Sequence, residues 1–149
     1  DEGLSIHAVM ILVDTSAWIE YLRGTGSKVH YCLREYLSSQ MELATTEVVV
    51  MELLAGARSP KHSEQLRQLI MSCHLLPIQG LNDYEMAAAI YRSCRSQGYT
   101  VRKVVDCLIA TVAIRCHIPL LQADRDFDAM ACCTTLRLSN PAQLMDVDN

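Results

Sequence analysis

Residues Met10 to Trp18 read M-I-L-V-D-T-S-A-W, a short apolar run that stops on a carboxylate, two hydroxyls and a helix-forming tail. Ile11, Leu12 and Val13 lack the alternation of a half-buried strand, and a strand covered on both faces of a parallel sheet needs none. Asp14 stands where that strand ends. In open α/β sheets ligands bind beyond the carboxyl ends of the strands, where loop backbones and helix N-termini converge. The stretch therefore predicts a parallel-sheet protein and marks Asp14 as a candidate first ligand of a metal site. Taken alone, Asp14 is equally well read as a helix cap.

Working outward, Thr15 or Ser16 is expected to cap a helix to about Arg23, broken by Gly24-Thr25-Gly26-Ser27. An amphipathic helix follows from about Lys28 to Ser39, then a short strand from Met41 to Ala44. Thr45-Thr46-Glu47 caps a helix over Val48 to Ala55 that Gly56 closes, and Glu52 lies within it. Further helices are expected over Lys61 to Ser72, from an Asn82 or Asp83 cap to about Gln97, and from Val104 to Cys116 with Asp106 in its first turn. Strands are expected at Leu75 to Ile78, Pro119 to Leu121 and, as a closing edge, Thr134 to Leu138. Alternating strands and helices point to a parallel sheet covered on both faces.

The bulk numbers fit this. A chain of 149 residues, half hydrophobic and one-fifth charged, suits one well-packed domain. That domain is expected to span residues 10–140, with residues 1–9 as an extension or tag remnant and 141–149 as a C-terminal tail. No apolar run reaches the ~18 residues that cross a bilayer, and Asp1 and Glu2 are unlike the basic start of a secretory signal, so a cytoplasmic protein without a membrane partner is expected. The seven cysteines form no C-x-x-C pair and read as reduced, buried thiols. The net charge of −4 comes from the tails. Without Asp1, Glu2, Asp146 and Asp148, 13 acids face 13 bases, and gathering several acids into one site leaves a surface compatible with a polyanion.

Carboxylates fall just after a strand or in the early turns of a helix at Asp14, Glu52, Asp106 and the pair Asp124/Asp126. Each alone has an ordinary reading as a cap, a dipole partner or a solvated turn; together they make a set. Carboxylate oxygens suit Mg²⁺ or Mn²⁺, hard ions that keep several waters and meet substrate phosphate. Ions so held lower the pKa of a bound water and balance charge on a leaving oxygen, so the implied reaction is phosphodiester hydrolysis.

Four segments carry a family resemblance: M-I-L-V-D-T-S-A-W (10–18), T-T-E-V-V-V-M-E-L-L-A-G (45–56), G-Y-T-V-R-K-V-V-D-C-L-I-A (98–110) and L-L-Q-A-D-R-D-F-D (120–128). They resemble the successive motifs of PIN-domain ribonucleases, in particular the VapC-type toxins of toxin–antitoxin pairs, from Met10 to about Asn140. The resemblance implies a three-layer α/β/α domain around a central parallel sheet of four to five strands. It also implies Mg²⁺- or Mn²⁺-dependent cleavage of single-stranded or loop RNA, which halts translation and growth. Asp14, Glu52, Asp106 and Asp124 match the family's acidic quartet, and Asp126 matches an additional ligand or an acid behind the ligands. Thr15 and Ser16 match the hydroxyl pair beside the first acid. Thr100 and Arg102 match positions flanking the site, where Arg102 is expected to hold substrate phosphate. Glu47 is expected to act only as a cap.

Such toxins typically form homodimers and are silenced by a VapB-type antitoxin whose tail crosses the active-site groove. Trp18, Tyr21, Tyr31, Tyr36 and Leu37 are candidates for that groove or, equally, for core and dimer contacts. The neutral body favours recognition by shape, which makes transfer RNA the expected target. A receiver domain or aspartyl phosphatase needs an acid doublet or D-x-D beside the first strand and a late Lys; Asp14 is followed by Thr15 and Ser16, and no Lys follows Lys103. The other rival, a catalytically silent RNA-binding module, is disfavoured by the intact quartet.

Overall fold

Residues 10–39, 41–139 and 141 are described by a computed structural model; the expected extension 1–9 and nearly all of the expected tail lie outside the described residues. In chain order the elements are β1 (Ile11–Val13), α1 (Thr15–Arg23), α2 (Lys28–Ser38), β2 (Leu43–Thr45), α3 (Glu47–Ala55), α4 (Pro60–Met71), β3 (His74–Leu75), α5 (Gly80–Ser96), α6 (Asp106–Arg115), β4 (Leu120–Leu121) and α7 (Arg125–Cys133). All strand pairings are parallel, in the order β3-β2-β1-β4, and helices flank the sheet.

The unbroken apolar reading of β1 holds. Leu12 sits opposite Ala44 of β2 on one side and Leu120 of β4 on the other, and Ile11, Leu12 and Val13 are all buried. Around them pack Trp18, Leu33, Ile70, Ile109, Phe127 and Met130, each fully enclosed. The α6 run from Asp106 to Ala113 is buried at every position, which explains why its sequence shows no polar face. The expected edge strand at Thr134 to Leu138 is reduced to one parallel bridge between Leu120 and Leu138. A two-residue β4 offers little edge for a longer partner.

Several local expectations are corrected. Asp14, rather than Thr15 or Ser16, caps α1 by accepting from the Ser16 N–H. Thr46 stands at the α3 cap position without a side-chain bond to the helix backbone, its hydroxyl donating instead to Glu47 Oε1 at 3.1 Å, and that same oxygen accepts from Ile78 N at 2.8 Å and ties α3 to the segment after β3. The acids from Asp124 open a further helix, α7, which Asp124 caps and which holds Asp126 and Asp128 in its first turn, where the sequence alone marks no helix. Trp18 and Tyr36 belong to the core, whereas Tyr31 is exposed. All seven cysteines are free, but Cys132 is exposed and only Cys32, Cys94 and Cys107 are buried. No helix among the described residues is long and apolar enough to cross a membrane.

Asp83 does not cap α5 but lies inside it, buried, where its oxygens take Arg115 Nε at 3.1 Å, Arg115 Nη2 at 2.9 Å and Gln79 N at 2.8 Å. Burial alone pushes this carboxyl up, and Arg115 with the Gln79 N–H outweighs it, so its pKa falls below the usual range. The pair joins α5 to α6, the helix that carries Asp106. Asp83→Ala is expected to lower stability by about 1–3 kcal/mol, because Arg115 and the Gln79 N–H lose a charged acceptor. Urea unfolding at neutral pH checks this.

Candidate metal centre

The sheet order fixes where the acids meet. From β1 the chain steps outward through β2 to β3, then returns to the opposite side of β1 as β4. A crevice forms where such an order reverses, here outside the carboxyl ends of β1 and β4. Asp14 follows β1, Asp124 follows β4, Asp106 opens α6, and Glu52 lies in the second turn of α3. Asp14, Glu52, Asp106 and Asp124 line one small cavity of about 80 Å³, together with Thr15, Ser16, Ile19 and Lys103. The four acids expected to act together are thus brought together.

The two oxygens of Asp14 have different surroundings. Oδ2 accepts from Ser16 N at 2.9 Å and Ser16 Oγ at 2.5 Å, while Ser16 Oγ itself accepts from Ala123 N at 2.9 Å. That chain links the start of α1 to the loop after β4. Oδ1 is buried and has no partner. Asp14 is therefore a helix cap through one oxygen, and its other oxygen is left without a partner. Glu52 Oε1 accepts from Thr15 Oγ1 at 2.8 Å, which fixes the carboxylate of α3 against the first turn of α1. Asp106 Oδ2 is buried without a partner, and the residue is only 3% exposed.

Asp124 caps α7: its Oδ1 accepts from Asp126 N at 3.0 Å and from Arg102 Nη2 at 2.7 Å. Asp126 Oδ2 accepts from Arg102 N at 3.0 Å, and Arg102 Nε lies 3.2 Å from Oδ1. Asp106, Asp124 and Asp126 each place an oxygen within 4.8 Å of the other two. Two overlapping acid sets therefore exist, one lining the cavity and one in which Asp124 and Asp126, but not Asp106, share Arg102.

Burial pushes the Asp14 carboxyl up; its bonds to Ser16 oppose this, and the charge of Glu52 adds to it. Burial likewise lifts Asp106 to about 7, reinforced by the charges of Asp14, Glu52 and Asp124 and opposed by Lys103. An unpaired buried carboxylate is costly, and a divalent cation is the group that removes the cost for several acids at once. Asp14 and Asp106, each with one orphaned oxygen, both line one cavity, and such a donor set fits an ion of this kind. Hard oxygen donors of this kind match Mg²⁺ or Mn²⁺ rather than a thiol-seeking metal.

A family model described as PIN domain matches residues 11–131. The chain belongs to the PIN-domain family. Within it the VapC ribonucleases are near relatives: Ribonuclease VapC11 of Mycobacterium tuberculosis and a VapC ribonuclease of Mycobacterium bovis are each 40% identical over 132 residues, covering 88% of this chain and 98% of theirs. Solved structures share the fold. VapBC-1 of nontypeable Haemophilus influenzae aligns with a TM-score of 0.69 at 15% identity over 89% of this chain and 98% of that one, and FitAcB of Neisseria gonorrhoeae with 0.68 at 23% identity over 89% and 99%.

In this PIN domain Thr15 and Ser16 stand beside the acids as the motif implies, but Thr100 does not line their cavity. It lies with Tyr99, Arg125 and Asp126 in a separate shallow depression. Lys103 was missed from the sequence, although the R-K pair three residues before Asp106 was available as a signal. It is the cation in the cavity lining and the group that opposes the upward shift of Asp106.

The raised Asp106 gives a stability test with divalent ions chelated. Its pKa moves from 3.8 to about 7 on folding, so the folded state binds the extra proton and stability falls as pH rises across that window. Asp106→Asn removes the loss. The variant is expected to melt higher than the unsubstituted protein at pH 8 in EDTA, with the gap closing toward pH 4; thermal melts at both pH values check this.

Proposed function

We propose that this PIN domain is a Mg²⁺- or Mn²⁺-dependent endoribonuclease toxin that hydrolyses phosphodiester bonds in single-stranded or loop RNA and so arrests translation and growth. The observation that carries the reading is the pair of buried, partnerless oxygens, Asp14 Oδ1 and Asp106 Oδ2, in one cavity with Glu52 and Asp124. The 40% identity to VapC ribonucleases supports the reaction class.

Asp14, Asp106 and Asp124 hold the ion in this reading. A bound Mg²⁺ or Mn²⁺ supplies a water activated at neutral pH and positive charge for the phosphodiester as it is attacked. Thr15 holds Glu52 through Oε1, which leaves Oε2 to orient the attacking water and take its proton. Ser16 keeps Asp14 oriented by occupying Oδ2. Lys103 and the exposed face of Arg102 flank the cavity as cations for substrate phosphate.

A larger groove of about 340 Å³ runs alongside and shares Thr15, Ile19 and Glu52 with the acid cavity. Arg23 and Arg58 offer cationic contacts there for the RNA strand, while Ile19, Leu22, Leu53 and Leu66 form an apolar wall. The wall suits a segment of a VapB-type antitoxin, a partner supported by solved neighbours that are themselves toxin–antitoxin complexes. Of the aromatics considered for this role, Tyr31 remains exposed. Transfer RNA is the proposed target, on the ground that a body without net charge recognises shape better than charge. A homodimer in the cytoplasm completes the proposal.

RNA cleavage by the purified protein tests it. Cleavage is expected with Mg²⁺ or Mn²⁺ and absent in EDTA, and Asp14→Asn and Asp106→Asn are each expected to lower the rate at least about 100-fold with unchanged circular dichroism. Equal cleavage by folded variants would overturn the site assignment. No cleavage under any condition would leave a silent RNA-binding module.

A further inference from the structure

Arg102 is the cation the structure already provides, and its place among the acids is specific. Both oxygens of Asp126 are taken by it, Oδ2 by the backbone N–H at 3.0 Å and Oδ1 by Nε at 3.2 Å. Its Nη2 reaches Asp124 Oδ1 at 2.7 Å, an oxygen that also accepts from Asp126 N. Asp126 is buried, so these bonds satisfy a carboxylate that water does not reach. Asp14 Oδ1 and Asp106 Oδ2 are sealed from water with no partner at all. One carboxylate group of the cluster is thus saturated by arginine while another is left open.

We propose that the Arg102 guanidinium occupies the place of a second divalent cation, so that the site takes one metal ion, on Asp14, Asp106 and the remaining oxygen of Asp124, and Asp126 serves as the anchor of Arg102 rather than as a ligand. This rests on the metal-dependent reading above and sharpens it.

Occupancy and charge both stand against a second ion. Two-metal hydrolytic sites hold their ions ~3.5–4 Å apart, which requires carboxylates to share oxygens between them. Here the oxygens a second ion needs, Asp124 Oδ1 and both of Asp126, already accept two hydrogen bonds or a bond from Arg102. A second ion has to displace the guanidinium and then sit beside it, like charge against like. The backbone N–H of Arg102 stays on Asp126 whatever the side chain does. Arginine is suited to the role because it stays charged and its planar fork meets two carboxylates at once. Its side chain is 54% exposed, so the guanidinium neutralises the pair and still faces solvent, where substrate phosphate arrives.

Counting bound Mn²⁺ by electron paramagnetic resonance in the full-length, metal-stripped protein tests this without reading activity. The unsubstituted protein is expected to bind one Mn²⁺ per chain, and Arg102→Ala to bind a second or to bind the first severalfold more tightly. Asp126→Asn, which keeps the side-chain shape if Arg102→Ala folds poorly, is expected to keep one ion with a loss of about tenfold, as for groups that support ligands. Asp106→Asn is expected to lose the ion. Two ions on the unsubstituted protein, unchanged binding in a folded Arg102→Ala, or an Asp126→Asn as metal-free as Asp106→Asn would each overturn the inference while leaving metal dependence standing. No Mn²⁺ on the unsubstituted protein would remove metal dependence and the inference with it.

Discussion

Two carboxylate oxygens sealed from water without a protein partner, Asp14 Oδ1 and Asp106 Oδ2, are the constraint on which the site depends. Such groups weaken a fold unless something positive is bound there. The surrounding structure holds them in place. Ser16 fastens the other oxygen of Asp14 and reaches across to the loop after β4, Thr15 fastens Glu52, and the Asp83–Arg115 pair ties α5 to the far end of α6, the helix that Asp106 opens. The acids are positioned by groups that leave particular oxygens free.

The parallel sheet makes this arrangement available. β1 and β4 lie side by side although more than 100 residues separate them, and the reversal of strand order between them opens the crevice into which Asp14 and Asp124 project. Because α6 is buried along nearly its whole length, Asp106 at its first position is held close to the sheet. The acid cavity adjoins the groove beside α1, α3 and α4, and the two share Thr15, Ile19 and Glu52.

The sheet, its order of elements and the acidic quartet were legible because each leaves a local trace: uninterrupted apolar runs for β1 and α6, and a carboxylate at the end of a strand or the opening of a helix. The quartet was legible as a set only through the family's motifs, since Asp14 alone reads equally well as a cap. The structure shows the cap on one oxygen and leaves the other buried without a partner, a division that residue spacing does not encode. Side-chain reach was the main loss. Glu47 looked like a cap and instead holds Ile78 N; Asp83 looked like a cap and instead holds Arg115; Arg102 looked like a phosphate contact alone and instead also clamps Asp124 and Asp126, more than 20 residues away. Thr100, expected to flank the site, lines a neighbouring depression together with Asp126. Exposure of the aromatics was equally unreadable, because Trp18 and Tyr31 both sit in amphipathic helices and only packing separates the buried one from the exposed one.

The central claim is that the free oxygens of Asp14 and Asp106 exist to hold a divalent ion. Anomalous diffraction from crystals of the protein grown with Mn²⁺ addresses it most directly. The account predicts a manganese peak bounded by Asp14, Asp106 and Asp124, with Arg102 still on Asp126. A cleft without manganese at a concentration that supports RNA cleavage would contradict it.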